Sequence, residues 1–572
     1  MPPPSPAPAE QWRGGRLLQQ LRSPSPRRNP IPQRDASTRG GGMAFTIPAA
    51  FVWPPPGNIL STDGTTPAAM RHGLDPGTLN VYENTVLGFL YAFLPKPPVS
   101  PAATLSCAAA EEGEGMDRIS SLPDILLRRI VARLPAKDGA RTAALSKRWR
   151  GLWRSAPLVL VDTHFLPRGG AEDRPPRPGP ASRAVRGAVN SALRAHPGPF
   201  PFVSLSCGFM KAVDADRAVL ARWFQHLATK GVEELVLVNR PSPFAGLRLP
   251  AALFSCACLR RLFLGAWRFV DTSTLPRGAS FPNLQDLVLG GVAMEDGDLD
   301  FLLAASPVLE TLAIVGNVKK MHARLASHSL RCAQFCLADI EQVAVVDAPS
   351  LERLFFWRCL NQRRGWRVKI GYAPRLSMLG YLEPGVHTLE IGNTVIKSGT
   401  RPSPKTTVPS VQMLALHLHF KVCSEVKMLP SFLRCFPNLE TLCIQSEEAK
   451  EPCGKLNLKF WQENGLINCV QTQLKRLVFR EFHGEENEFA FLMFIAENAL
   501  ALEKMVLVME LRRPSAPEDL AAKMKALKTA RWASGSNKAG YMLSRPGVGG
   551  GSAWCLKAGS DFMHNDPFLC LV

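Results

Sequence analysis

No run of about 18 apolar residues occurs anywhere in the 572-residue chain, so no membrane-spanning helix is expected. The longest candidate, Thr85 to Pro95, is too short. The opening residues, MPPPSPAPAEQWRGG, lack the apolar core of a secretory signal. Cysteine is thinly spread: 14 residues form no dense framework, and Cys256-x-Cys258 and Cys332-x3-Cys336 match no zinc spacing. A reduced protein with buried thiols, in the nucleus or cytoplasm, is the expectation. No nucleophile stands beside a base at any known spacing. The glycine run at 549–551 lacks the Lys-Ser/Thr of a phosphate loop. His417-x-His419 puts two rings on one side of a strand, and these are read as surface or concave-face histidines. No catalytic residue, no metal ligand and no cofactor is therefore expected.

Positive charge and apolar patterning are present instead. Lys and Arg number 68 against 48 Asp and Glu, a formal charge of +20. The excess peaks in residues 116–165, which hold ten basic and four acidic side chains. Hydrophobic residues make up 46% of the chain, enough for a globular bulk. At roughly 100–200 residues per domain, two to four units are expected.

Residues 1–115 are rich in Pro, Gly, Ala and Ser, and read as a disordered leader. Residues 116–160 read as a small helical unit. Ser121, Pro123 and Asp124 form a helix start. Leu126, Ile130 and Leu134 then recur every four residues, and Leu127 and Val131 widen the stripe, until Pro135 ends the helix. A second helix starts at Lys137-Asp138-Gly139 and carries Ala143, Ala144 and Leu145; a third, capped by Ser146, bears Trp149, Leu152 and Trp153. A unit of about 40 residues rarely holds alone, so it is expected to lean on a partner. Its third helix is basic, with Lys147, Arg148, Arg150 and Arg154 following Arg141, which raises a nucleic-acid reading. That helix is only about two turns long and sets its two tryptophans four apart on one apolar face. The charge therefore reads as a solvated face or as complementary to an acidic partner, and nucleic acid is not expected. Residues 161–200 read as a linker.

From residue 201 a repeat takes over. Leu-x-x-Leu-x-Leu, or a close variant, occurs at Val232–Leu237, Leu259–Leu264, Leu284–Leu289, Leu309–Ile314, Leu351–Phe356, Val386–Ile391, Val411–Leu416, Leu439–Ile444, Leu474–Phe479 and Leu502–Leu507, with degenerate copies at Leu330–Phe335 and Leu376–Tyr381. The middle leucines 235, 262, 287 and 312 step by 27, 25 and 25 residues, within the 20–29 period of leucine-rich repeats. Proline precedes the first apolar position by two residues at Pro282, Pro307, Pro349, Pro374, Pro409 and Pro437, where it ends the return segment and hands the chain to the strand. One repeat cannot cover its own apolar face; stacking buries a continuous core and bends the array into a horseshoe with a parallel sheet on the concave side. The residues between the strand leucines should face a target there: Glu234, Val236, Val238, Arg261, Phe263, Asp286, Val288, Thr311, Ala313, Arg353, Phe355 and His417. The repeats span 201–465, and residues 513–572 read as one helix, opened by Pro517-Glu518-Asp519-Leu520, and a flexible tail.

The helical unit resembles an F-box. The resemblance rests on Leu122-Pro123-Asp124, Ile130, Leu134-Pro135, Leu145-Ser146-Lys147-Arg148-Trp149-Arg150 and Leu152-Trp153. It implies docking on a Skp-type adaptor, and through it on a cullin, with Leu122, Pro123, Leu126, Ile130, Leu145, Trp149 and Trp153 facing the adaptor. Residues 466–512, with Cys469, Leu474-Lys475, Phe482-His483-Gly484, Glu488, Phe491, Ile495, Asn498-Ala499, Leu502 and Met505, resemble the FBD region of plant F-box/leucine-rich-repeat proteins. The order F-box, repeats, FBD implies an α/β chain: three short helices, then a solenoid. It further implies the substrate-recognition subunit of a Skp–cullin–F-box ubiquitin ligase, non-catalytic itself, binding an unknown target protein through the repeats. A repeat scaffold working outside any ligase is the alternative.

Overall fold

The computed structural model describes residues 76–99, 118–166, 181–240, 246–317, 320–359, 365–401, 403–447, 458–510, 517–535, 539–544, 556–564 and 566–569. Side chains alternate across a strand, so each Leu-x-x-Leu-x-Leu segment sends its last two leucines to one side. Among the described residues fourteen strands lie parallel in one sheet, from Val159–Val161 at one edge to Ala539–Ser544 at the other, and eleven of them carry a copy of the repeat; the copy at Val386–Ile391 departs from the expected series, its strand Thr388–Ile391 lying in a second sheet. Leu235, Leu262, Leu287, Leu312, Ala333, Leu354, Leu379, Leu414, Leu442, Leu477 and Met505 stand side by side on successive strands. All are buried. Each fully buried leucine contributes about 1.5–3 kcal/mol relative to exposure. A slip of one residue would turn the whole row outward, so the burial of this row sets the register.

The return segments differ along the array. Helices Asp214–Thr229, Asp298–Ala305, Cys423–Arg434 and Glu486–Asn498 serve the two ends. Between them the chain returns through strands Met321–Ala326, Ile340–Asp347, Arg367–Tyr372 and Thr388–Ile391, which with Thr394–Val395 form a second, five-stranded sheet. Met321–Ala326 alternates strictly between buried and exposed side chains, as a sheet with one covered face requires. The step from Leu312 to Ala333 to Leu354 is 21 residues each time, shorter than at the ends. A strand advances about 3.3 Å per residue against 1.5 Å for a helix, so fewer residues close the repeat. The degenerate copies are strands like the others, Cys332–Cys336 and Met378–Leu382.

The helical unit is fused to the start of this sheet. We number helix Pro76–Phe93 α1, and the three of the small unit α2 (Asp124–Ala132), α3 (Ala136–Thr142) and α4 (Lys147–Ser155). Ser146 caps α4, its hydroxyl accepting from the Trp149 amide at 3.3 Å. Strand Val159–Val161 then pairs with Phe202–Leu205. The buried Asp162 carboxylate accepts the Ser206 and Cys207 amides at 2.7 and 2.6 Å. One hydrophobic cluster runs from Leu127 and Val131 of α2 through the repeats to Trp532.

Three stretches depart from the sequence reading. Within the 161–200 linker, Ala181–Ala195 is a helix whose Val185, Val189 and Leu193 are buried at a four-residue spacing. Within the leader of 1–115, residues 76–93 form α1; the rest of that leader, apart from 94–99, lies outside the described residues. Beyond the expected helix Pro517–Thr529, the tail adds the edge strand Ala539–Ser544, paired with Lys504–Glu510, and a packed segment at 556–569. Helix 181–195, α1 and Phe568 set apolar side chains on a preformed surface of the array, and the edge strand extends its backbone ladder, neither of which local composition reveals.

Candidate functional site

The surface of the small unit is built around a division within α2. Leu127 and Val131 turn inward, while Ile125, Leu126 and Ile130 stay outside. Leu126 and Ile130 lie one turn apart on a common side. Leu145, after α3, is 67% exposed, and Ile119, ahead of α2, is 56% exposed. Exposed apolar groups clustered on one small unit mark an interaction surface.

Arg148 holds this surface in shape. Its guanidinium donates to Asp124 Oδ1 from Nε at 2.9 Å and Nη2 at 2.7 Å, and to the carbonyls of Leu122, at 2.7 Å, and Ser120. The Leu-Pro-Asp turn is thus fastened to α4. Of the expected adaptor-facing residues, Pro123, Leu126, Ile130 and Leu145 are exposed and Leu122 is half-buried. The tryptophans correct the sequence reading. Trp149 is 7% exposed, packed in the main core with its indole nitrogen donating to Ser120 Oγ at 3.3 Å. Trp153 is half-buried against that core, its ring 5.2 Å from His196. Trp149 and Leu152 belong to the main core, against which Trp153 packs. Ile125 and Ile119 were missed; their signal was an apolar residue outside the four-residue stripe.

The second candidate surface is the sheet face opposite the leucine row. Val236, Val238, Phe263, Val288, Ala313 and Phe355 do lie on it, as register predicts. They are not open to solvent, because this chain covers them. Tyr82, Val86, Leu87, Phe89, Leu90 and Phe93 of α1 join the same cluster, and Phe568 from the carboxyl end stands edge-on to Phe355 and Tyr381. Arg353, buried on this face, donates to the carbonyls of Gly559, Asp561 and His564 at 3.1, 3.0 and 2.8 Å. At the near rim Arg261 bridges Glu234 and Asp286, at 3.2 and 3.4 Å.

His417 also faces this side, near the carboxyl ends of the strands. Its Nε2 lies 2.9 Å from Glu447 and its Nδ1 3.4 Å from Glu383, and Arg358 meets the same Glu447 at 3.0 Å. Burial opposes a charge on this ring, but the two carboxylates prevail and push its pKa up to about 10. The neighbouring His419 meets Glu425 at 3.2 Å, and burial there is likewise overcome in favour of the charged ring. Both histidines are thus engaged by carboxylates in ion pairs. In the FBD-like segment, Glu488 is fully buried and accepts from Ser446 Oγ at 2.6 Å, the His483 amide at 3.1 Å and the Glu485 amide at 3.0 Å. It ties the helix Glu486–Asn498 to two strand ends. Among the described residues no helix is long and apolar enough to cross a membrane.

Three short helices bearing an apolar surface, fused to a parallel repeat sheet, define an F-box/leucine-rich-repeat architecture. Comparison with known families agrees: the F-box domain matches residues 119–160, the leucine-rich repeats of FBD-associated F-box protein At5g56370 match 220–444, and FBD matches 462–507. The chain thus carries an F-box, leucine-rich repeats and an FBD region in that order. It is 27% identical to F-box/LRR-repeat protein 13 of Arabidopsis thaliana, over 70% of this chain and 91% of that one. It is 25% identical to FBD-associated F-box protein At5g60610 of the same plant, over 68% of this chain and 98% of that one. With F-box/FBD/LRR-repeat protein At5g22660 it shares 24% identity, over 70% of this chain and 92% of the relative.

Proposed function

We propose that this chain is the substrate-recognition subunit of a Skp–cullin–F-box ubiquitin ligase, working in the nucleus or cytoplasm. The F-box docks on a Skp-type adaptor, which carries the cullin, and the repeat array holds a target protein. Its contribution is proximity: it brings the target to a ubiquitin activated elsewhere in the complex, without turnover of its own. The observation that carries this reading is the set of outward aliphatics Leu126, Ile130 and Leu145, left in water on a unit whose own core is already filled by Leu127, Val131, Trp149 and Leu152. Leu122, Pro123 and Trp153 belong to the same docking region, Trp153 as a wall and Trp149 as its buried support. The ten described cysteines are all free thiols, as suits a reducing compartment.

The test is a pull-down of the purified chain with a Skp-type adaptor. The wild-type chain is expected to retain the adaptor and the triple variant Leu126→Ala, Ile130→Ala, Leu145→Ala to lose it while keeping its unfolding transition. Retention unchanged by the triple variant would overturn the assignment of this surface, and absence of binding by the wild-type chain would favour the scaffold reading.

A further inference from the structure

α1 lies in a groove shaped to receive it. Its side chains from Tyr82 to Phe93 that face the sheet are buried among Val236, Val238, Phe263, Val288 and Ala313. Two glycines form the floor. Gly265 and Gly290 are paired on adjacent strands. A methyl group on either would stand 2.5 or 2.7 Å from Leu90 Cδ2, well inside the roughly 3.5–4.0 Å at which carbon atoms pack. Two neighbouring strands therefore lack a side chain at the one register position where Leu90 enters. The Tyr82 hydroxyl donates to the Leu337 carbonyl at 3.3 Å, and Arg240 donates to Asn84 Oδ1 on the polar side of the helix.

Two observations separate α1 from the body it lies on. It falls outside all three matched segments, the first of which begins at residue 119. It also lacks the means to stand alone as a helix, having no acidic residue in its first turn, no basic residue in its last, and Gly88 in its middle. Most helical stability in a protein comes from packing of one face rather than from propensity. The groove supplies the helicity, which is the behaviour of a segment that folds as it docks.

We propose that this groove is a receptor for an apolar, aromatic-bearing helix, that α1 occupies it in cis, and that a target protein presents a helix of the same chemistry in its place. This rests on the proposed role of the repeat array in holding a target protein. Tethering sets the effective concentration of α1 on the order of millimolar. A target helix must outcompete that, and its apparent affinity falls by the fraction of chains whose groove is empty.

The experiment uses the full-length chain and a fluorescent peptide spanning residues 76–93. In the wild-type chain the 76–93 region is expected to resist protease and the peptide to find no site. Leu90→Asp places a carboxylate against the glycine floor; this variant is expected to be cut within 76–93 and to bind the peptide at least tenfold better than wild type. Adding Gly290→Leu should block that binding by filling the channel. Equal protection of Leu90→Asp and wild type, or release of α1 without capture of the peptide, would overturn the proposal. So would loss of the array's cooperative unfolding in Leu90→Asp, since α1 would then be fixed core. A Skp-type adaptor pull-down on the same preparations keeps the ligase reading separate: its result depends on the F-box surface and is expected to be unchanged by Leu90→Asp.

Discussion

The Arg148 guanidinium grips the Asp124 carboxylate from two nitrogens, at 2.9 and 2.7 Å, and so binds the last helix of the F-box to the first. Both partners are about half exposed, so solvent limits what the ion pair itself contributes. The carbonyls of Ser120 and Leu122 depend on the same group. Arg148→Ala is expected to cost about 1 kcal/mol of stability but to weaken adaptor binding about tenfold, because the Leu-Pro-Asp turn loses its tether. Arg148→Lys should recover little, since an ammonium lacks the planar fork that serves three acceptors at once. Adaptor affinity set beside urea unfolding distinguishes the two effects.

The two kinds of apolar residue in the F-box should separate cleanly. Trp149→Ala removes a buried indole and is expected to destabilise by roughly 3–5 kcal/mol. Leu145→Ala removes a side chain that is 67% exposed and should change stability by no more than about 0.5 kcal/mol. Its effect on adaptor binding is expected to exceed about 1 kcal/mol if it is an anchor. Denaturant midpoints and adaptor affinities for the pair give the check.

These differences mark what the sequence could and could not convey. The leucine row was legible because Leu-x-x-Leu-x-Leu states an alternation that only a strand satisfies, and because six prolines punctuate it in one register. Leu126 and Ile130 were legible by the same kind of periodicity. The inward turn of Trp149 was not, since Ser120, which its indole meets, and most of the core it joins come from outside α4. α1 carried a weak signal: Tyr82, Val86, Leu90 and Phe93 recur at helical spacing, but Gly88 and the Pro- and Gly-rich surroundings masked it. Its surface exists only once several repeats have stacked, so no local window contains it.

Arg353 supplies three of the hydrogen bonds that hold the carboxyl-terminal segment. Arg353 is buried and donates to carbonyls of Gly559, Asp561 and His564, while Phe562 lies under Arg331, 3.7 Å from guanidinium to ring centre. Arg353→Leu removes all of those donors, at about 1–3 kcal/mol for each carbonyl left buried without a partner; the Gly559 carbonyl keeps the Cys332 thiol at 3.4 Å. The segment 556–564 is expected to leave the sheet instead. Hydrogen exchange there should rise to the rate of open chain, with the strands 332–336 and 378–382 still protected. Protection retained throughout would show that Phe568, between Phe355 and Tyr381, suffices to hold it.

Charge on His417 sets a window of pH for the far half of this sheet. The ring's pKa is raised to about 10, so it binds its proton more tightly folded than unfolded. Its contribution is complete below the ordinary histidine value of about 6.5 and is lost as pH climbs through 10. Glu447 works in the opposite sense: burial favours the neutral acid, but His417 and Arg358 hold the carboxyl well below its usual range. That contribution is present above about 4.5 and fades as pH falls. His387, buried and held down to about 4, adds a cost on the acid side, because the unfolded chain takes up its proton between about 6.5 and 4 and the folded chain does not. Stability is therefore expected to fall below pH 6.5 and again toward pH 10. His417→Gln should remove the alkaline loss and lower stability at pH 7 by about 3–5 kcal/mol, since Glu383 and Glu447 would face each other with their shared cation gone. Thermal unfolding of both chains from pH 5 to pH 10 tests this. An alkaline loss that survives the substitution would assign it to another group.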